Sequence, residues 1–226
     1  MTNLEPELDL LKENLEEMMA LVIKQLVQCK EATIHADDDL AKQIVANDKR
    51  VNAMELKIDK DCENILALYN PVATDLRFVL ASIKINNDLE RIGDNVEGIA
   101  GLMTKVMEKA EDVFFQDFKL IEMFDNAISM MVDIEEALIN DDSKLARKIF
   151  KKDEFLNDNN INATKVTIKL FKDYPDKAKT ILRLFTVIRK LERIGDLTKN
   201  LGEEIIFHLE AEVIKHRKNR IKLKKK

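Results

Sequence analysis

Apolar residues recur at intervals of three and four along most of this chain. Leu8, Leu11, Leu15, Met18, Leu21 or Val22, and Leu26 share one face and predict a long first helix. Asp37-Asp38-Asp39 is a cap cluster, and a second helix is expected from there to about Tyr69. Asn70-Pro71 ends it, because proline lacks an N–H and disfavours helix at the residue before it. A third helix is expected over about Val72 to Ala110, with Asp112 to Phe118 as a connector. The same plan then returns. One helix is expected from about Lys119 to Ile139, and a second from the Asn140-Asp141-Asp142-Ser143 caps to about Lys172. After the Tyr174-Pro175 break, a last helix should run from about Asp176 to Ile214. No strand-like alternation bounded by turn signals occurs. The prediction is an all-α protein made of two tandem antiparallel three-helix bundles related by an internal pseudo-twofold repeat. The first spans 1–111, the second 112–214, and residues 215–226 form a basic, disordered tail.

Composition sharpens this picture. Only 5 Gly and 3 Pro stand among 226 residues, and Trp is absent, so the core is built from Leu, Ile, Val, Ala and Met. The nine Met read as core filler, with Met130 and Met131 as candidates for a partner groove. Cys29 and Cys62 lie in apolar-periodic stretches and read as buried free thiols in a reducing, cytoplasmic setting. The acidic N-terminus has no basic-then-apolar secretory pattern, and no apolar run is long enough to span a bilayer. The net charge is −5, yet Lys215 to Lys226 carries eight Lys or Arg, leaving −13 on the other residues. So acidic a body argues against a nucleic-acid partner.

The candidate chemistry lies in a repeat. Leu-Glu-Arg-Ile-Gly-Asp occurs at 89–94 and again at 191–196, and such self-similarity marks a duplicated unit. On a helix, Glu90 and Asp94 share one face, as do Glu192 and Asp196. Ile85, Leu89, Ile92, Val96 and Ile99 form the opposing apolar stripe. Val187, Leu191, Ile194 and Leu201 rebuild it in the second copy. Glu97 becomes Lys199, which removes Glu97 from any shared chemistry. Gly93 and Gly195 sit mid-helix, where Gly costs about 1 kcal/mol against Ala, and predict close approach of another backbone or a ligand. Glu55 and Asp59 on the second helix are again four apart, with Asp48 one heptad earlier. An acidic stripe on one helix is usually just a solvated face. Two such stripes on neighbouring helices instead make an oxygen-rich site that repels itself unless protonated or bridged by cations. Oxygen-only ligation suits Mg, Ca, Mn or oxidised iron better than zinc. The three His, at 35, 208 and 216, lie away from these acids and read as surface or helix-end residues. Asp75 and Arg77 read as a helix-dipole acid with a local ion pair.

The run Asn70-Pro71-Val72-Ala73-Thr74-Asp75-Leu76-Arg77, the run Asn87 to Asp94, and Lys190 to Asp196 together resemble the PhoU family of bacterial phosphate-transport regulators. Asp48-Lys49-Arg50-Val51-Asn52 and Met54 to Asp59 match as well. The resemblance spans about Glu7 to Ile214. It implies two three-helix bundles with multinuclear metal clusters on their surfaces, of iron or manganese, then zinc or magnesium. Asp48, Glu55, Asp59, Glu90 and Asp94 would hold the first, and Asp153, Glu192 and Asp196 the second. The second is poorer, because Asn160 and Thr164 stand where Glu55 and Asp59 do in the first, with Glu154 and Asp158 as nearby substitutes. The implied function is negative regulation of the phosphate-starvation response, through the phosphate ABC transporter's ATPase and a membrane sensor kinase. Peripheral membrane association through these partners and a homodimer are also expected. Two other readings stay open. A carboxylate-bridged di-iron enzyme would need Glu-x-x-His, which the chain lacks. A structural helical spacer would leave the duplicated Glu, Asp and Gly unexplained. With neither a nucleophile–base pair nor a phosphate-binding Gly loop, the expectation is a non-enzymatic adaptor.

Overall fold

The computed structural model describes residues 4–104 and 110–214. The basic tail, His216 and the stretch 105–109 lie outside them. Six long helices carry the structure: α1 (Glu5–His35), α2 (Asp38–Tyr69), α3 (Ala73–Met103), α5 (Leu120–Ile139), α6 (Ser143–Asp173) and α7 (Ala178–Glu210). A short α4 (Asp112–Asp117) and a 3-10 turn at Pro175–Lys177 complete the chain order. No strand occurs among the described residues. Among them, no helix is long and apolar enough to cross a membrane.

The predicted boundary signals operate as chemistry. Asp37 accepts a hydrogen bond from the Leu40 N–H at 2.9 Å. Asp142 accepts two, from the N–H groups of Lys144 and Leu145. Each satisfies donors that a helix start leaves unpaired. Asn70 turns into the left-handed region at φ 48° and ends α2 just before Pro71. The second break differs, because Tyr174 stays at negative φ and Pro175 begins the 3-10 turn.

Two boundaries depart from the sequence expectation. Helix α3 is described to Met103, where the Thr104 hydroxyl donates back to the Gly101 carbonyl at 3.0 Å, and the expected continuation toward Ala110 falls on 105–109, outside the described residues. Helix α7 stops at Glu210, where Ala211 takes a left-handed cap whose N–H bonds the Phe207 carbonyl. The connector is a helical turn that buries Phe114 and Phe115. Phe114 meets the Tyr174 ring edge-on, 5.1 Å between centroids.

Helices α1, α2 and α3 pack on one another, as do α5, α6 and α7. The two groups join along two seams, α3 on α7 and α1 on α5, and the first is packed as extensively as α2 on α3. Leu89 and Leu191 are fully buried, and so are Ile92, Val96, Ile194 and Leu201. Burial of a side chain of this size contributes about 1.5–3 kcal/mol. Met130 and Met131 are also fully buried, so they fill the core of α5 and do not face a partner. Cys29 and Cys62 are buried free thiols, and burial pushes both up to about 12. Polar ties cross the seams. Lys84 bonds Glu204 at 2.9 Å, Lys30 bonds Asp125 at 2.6 Å, and Arg77 donates to the His208 carbonyl. Arg77 therefore grips the end of α7 instead of pairing with Asp75. His208, in the last turn of α7, lies against Phe78 rather than in open solvent.

Candidate functional site

Helix α2 buries Val51, Ile58, Cys62 and Ile65 against the core. That fixes the rotation of the helix and lines up Asp48, Glu55 and Asp59 along its edge facing α3. On α3, burial of Leu89, Ile92 and Gly93 turns Glu90 and Asp94 toward the same groove. The five carboxylates feel one another. Burial and the charge of Asp94 push Asp48 above the ordinary carboxylate range, against a lowering hydrogen bond from Asn52. Burial, Asp59 and Asp94 raise Glu55. Burial, Asp94, Glu55 and Asp48 raise Glu90, and only Arg91 works the other way.

Neutral amides hold the cluster in place. Asn86 is fully buried and donates to Asp59 Oδ1 at 2.8 Å and to the Glu55 carbonyl at 3.0 Å. Asn52 donates to Asp48 Oδ2 at 3.2 Å. The other oxygen of Asp48 is buried without a hydrogen-bond partner. A cleft of about 430 Å³ opens beside the cluster, lined by Asp59, Lys84, Asn87, Asp88, Arg91 and Asn200. In their present rotamers no three Asp, Glu, His or Cys side chains among the described residues stand in metal-holding geometry. The donor chemistry nevertheless fits a hard cation, with five oxygen acids, mutual repulsion and a single opposing guanidinium.

The second copy keeps the scaffold and changes the charge. Asp153 on α6 is buried, and Asn157 donates to its Oδ2 at 2.8 Å, repeating the Asn52–Asp48 pair. Burial, Asp196 and Asp153 raise Glu192, while Lys199 and Arg189 lower it. The Lys199 ammonium lies between the helices, 2.8 Å from Asp153 Oδ2 and 2.6 Å from Asp196 Oδ1. Burial works to lower its pKa, but the two carboxylates outweigh that and hold it above the usual lysine value. Glu154 and Asp158 do not replace the missing acids. One residue beyond Asp153 and Asn157 is a 100° rotation, and both side chains are exposed. Thr164 is exposed too.

The repeated glycines have a cause other than the one the sequence suggested. A Cβ on Gly93 would stand 3.2 Å from Val51 Cγ1 and 3.6 Å from Asp48 Oδ1. A Cβ on Gly195 would collide with Leu156 Cδ1 and stand 3.3 Å from Asp153 Oδ1. Within the protein, the close approach is by side chains of the facing helix and not by another backbone. In both copies the otherwise unpartnered Asp oxygen is seated against the glycine. Sequence reasoning named all eight acids but not the roles of Asn52, Asn86, Asn157 and Lys199. The Asp-x-x-x-Asn spacing at 48–52 and 153–157 was the available signal for two of them.

The family model described as the PhoU domain matches this chain twice, over residues 15–103 and 120–205. The chain belongs to the PhoU family. It is 29% identical over 204 residues to the phosphate-specific transport system accessory protein PhoU homolog 1 of Thermotoga maritima, covering 90% of this chain and 87% of that one. It is 30% identical over 211 residues to the PhoU homolog of Aquifex aeolicus, covering 93% and 94%. The crystal structure of PhoU from Pseudomonas aeruginosa superposes with a TM-score of 0.87 at 28% identity, over 93% of this chain and all of that one. Each of the two PhoU matches spans one set of three long helices and one acidic cluster.

Proposed function

We propose that this PhoU-family chain regulates phosphate uptake as a cytoplasmic, non-catalytic accessory of the phosphate transport system. Its relatives bear that system's name. The finer reading is a negative regulator of the phosphate-starvation response. It acts as a metal-binding adaptor, with no nucleic-acid partner, between the transporter's ATPase and a membrane sensor kinase, reaching the membrane only through them. Its long amphipathic helices favour a homodimer.

The observation that carries the adaptor reading is the five-carboxylate groove of α2 and α3. Three of its members are pushed up by burial and by each other. A hard cation, iron or manganese first and zinc or magnesium next, would relieve that repulsion and fix the two helices at a defined surface. Asp48, Glu55, Asp59, Glu90 and Asp94 would hold it. The sequence pairs no nucleophile with a base beside the acids and carries no phosphate-binding Gly loop. The test is a chromosomal Glu90→Gln/Asp94→Asn variant beside a deletion. Both should switch on phosphate-starvation genes in high phosphate, and the purified variant should lose its bound metal. Normal repression in the deletion strain would overturn the regulatory reading. Normal repression in the variant alone would overturn the role of metal.

A further inference from the structure

The two copies of the acidic cluster are not two versions of one site. The first brings together five carboxylates. The second brings together three, Asp153, Glu192 and Asp196, with a lysine placed among them. Lys199 occupies the register of Glu97, three residues after the motif Asp in each copy. Its ammonium is held by Asp153 from α6 and by Asp196 from α7, at 2.8 and 2.6 Å. These are ordinary lengths for a charge-assisted N–H···O bond. The bonding atoms come from two different helices, so the ammonium ties α6 to α7 as a bridging cation would.

We infer that Lys199 is a built-in counter-ion standing in place of a metal at the second cluster, so that metal loading in this chain is confined to the first bundle. The lysine and a metal ion exclude each other. A hard cation needs oxygen ligands at about 2.0–2.6 Å, and the ammonium already holds the oxygens that would supply them. A lysine has three donors and no acceptor, so it cannot turn and become a ligand. The rest of the site agrees. Asn160 and Thr164 replace the two α2-type acids, and Glu154 and Asp158 point outward. The Lys199 ammonium therefore ties α6 to α7 without a bound ion.

The experiment uses the full chain and Mn²⁺ as the probe, read by calorimetry and by electron paramagnetic resonance. The starting protein is Glu90→Gln/Asp94→Asn, which disables the first cluster and makes the result independent of whether that cluster holds metal. This variant should show no saturable Mn²⁺ binding. Adding Lys199→Glu, which restores the residue type of the first copy, should create one site, with affinity at least about tenfold above background. Lys199→Gln is made in parallel, and circular dichroism checks the helix content of each protein. Mn²⁺ binding by the starting protein that disappears on adding Glu192→Gln/Asp196→Asn would overturn the inference, and that arm needs no Lys199 variant. Well-folded Lys199→Glu and Lys199→Gln proteins that both fail to gain a site would overturn it as well.

Discussion

Three substitutions of single residues separate charge from packing. Glu55 and Glu90 have pKa values raised in the folded protein. A raised carboxylate pKa means that the folded state binds the proton more tightly. The associated stability is complete below the unfolded value, near 4.3, and is lost as pH rises through the folded pKa. Glu90→Gln should therefore stabilise the metal-free protein at pH 7 by a few tenths to about 1 kcal/mol, a small figure because the group is partly exposed. The gain should vanish near pH 4, and saturating Mn²⁺ should reverse its sign. Thermal melts at two pH values, with and without metal, measure all of this. Gly195→Ala tests packing. Ala gains about 1 kcal/mol in helix propensity over Gly, but the new methyl presses on the fully buried Leu156. Overpacking of a dense core costs about 1–3 kcal/mol, so a net loss of about 1 kcal/mol is expected in urea titration. Gly93→Ala, whose nearest neighbour stands 3.2 Å away, should stay within about 1 kcal/mol of wild type.

At the scale of helices, much of the structure was legible because the signals are local. The apolar stripes of the first, third and last helices, two acidic caps and two X-Pro breaks require only residues near one another in sequence. Asp142 makes two cap bonds and Asp37 one. Asp142→Ala should thus destabilise the protein by about 1 kcal/mol or somewhat more, and Asp37→Ala by less. Equal losses in chemical denaturation would show that the second bond carries no weight. What the pattern did not give depends on distant partners. Phe114 and Phe115 make a helical turn of the connector because α5 and Tyr174 offer a surface to cover. Glu55, Asp59, Glu90, Asp94, Glu192 and Asp196 were visible from four-residue spacing and Asp48 from a seven-residue one, whereas Asp153 came only from the family resemblance. The position of Lys199 was visible too, but its bond to Asp153 spans 46 residues and needs α6 laid beside α7.

For the whole molecule, the decisive feature is the α3–α7 seam. Both motif helices serve as inner walls, so each bundle packs its own core with one helix and its neighbour with the same helix. Glu204, only 3% exposed, reaches the Lys84 ammonium across the seam, and Lys84 also lies 5.4 Å from the Phe207 ring centre. An interface this extensive couples the halves energetically, unlike a small contact between separable domains. The chain should therefore unfold in one cooperative transition despite its internal repeat, with calorimetric and van't Hoff enthalpies in agreement. Lys84→Met removes a charge-assisted hydrogen bond and should cost about 2 kcal/mol, lowering the single midpoint by about 4–8 °C for a chain of this size. Two resolved transitions in wild type would mean that the seam is a docking surface between independent bundles. Metal bound at α2 and α3 would then stabilise only the first of them, whereas a coupled molecule raises its one melting temperature as a unit.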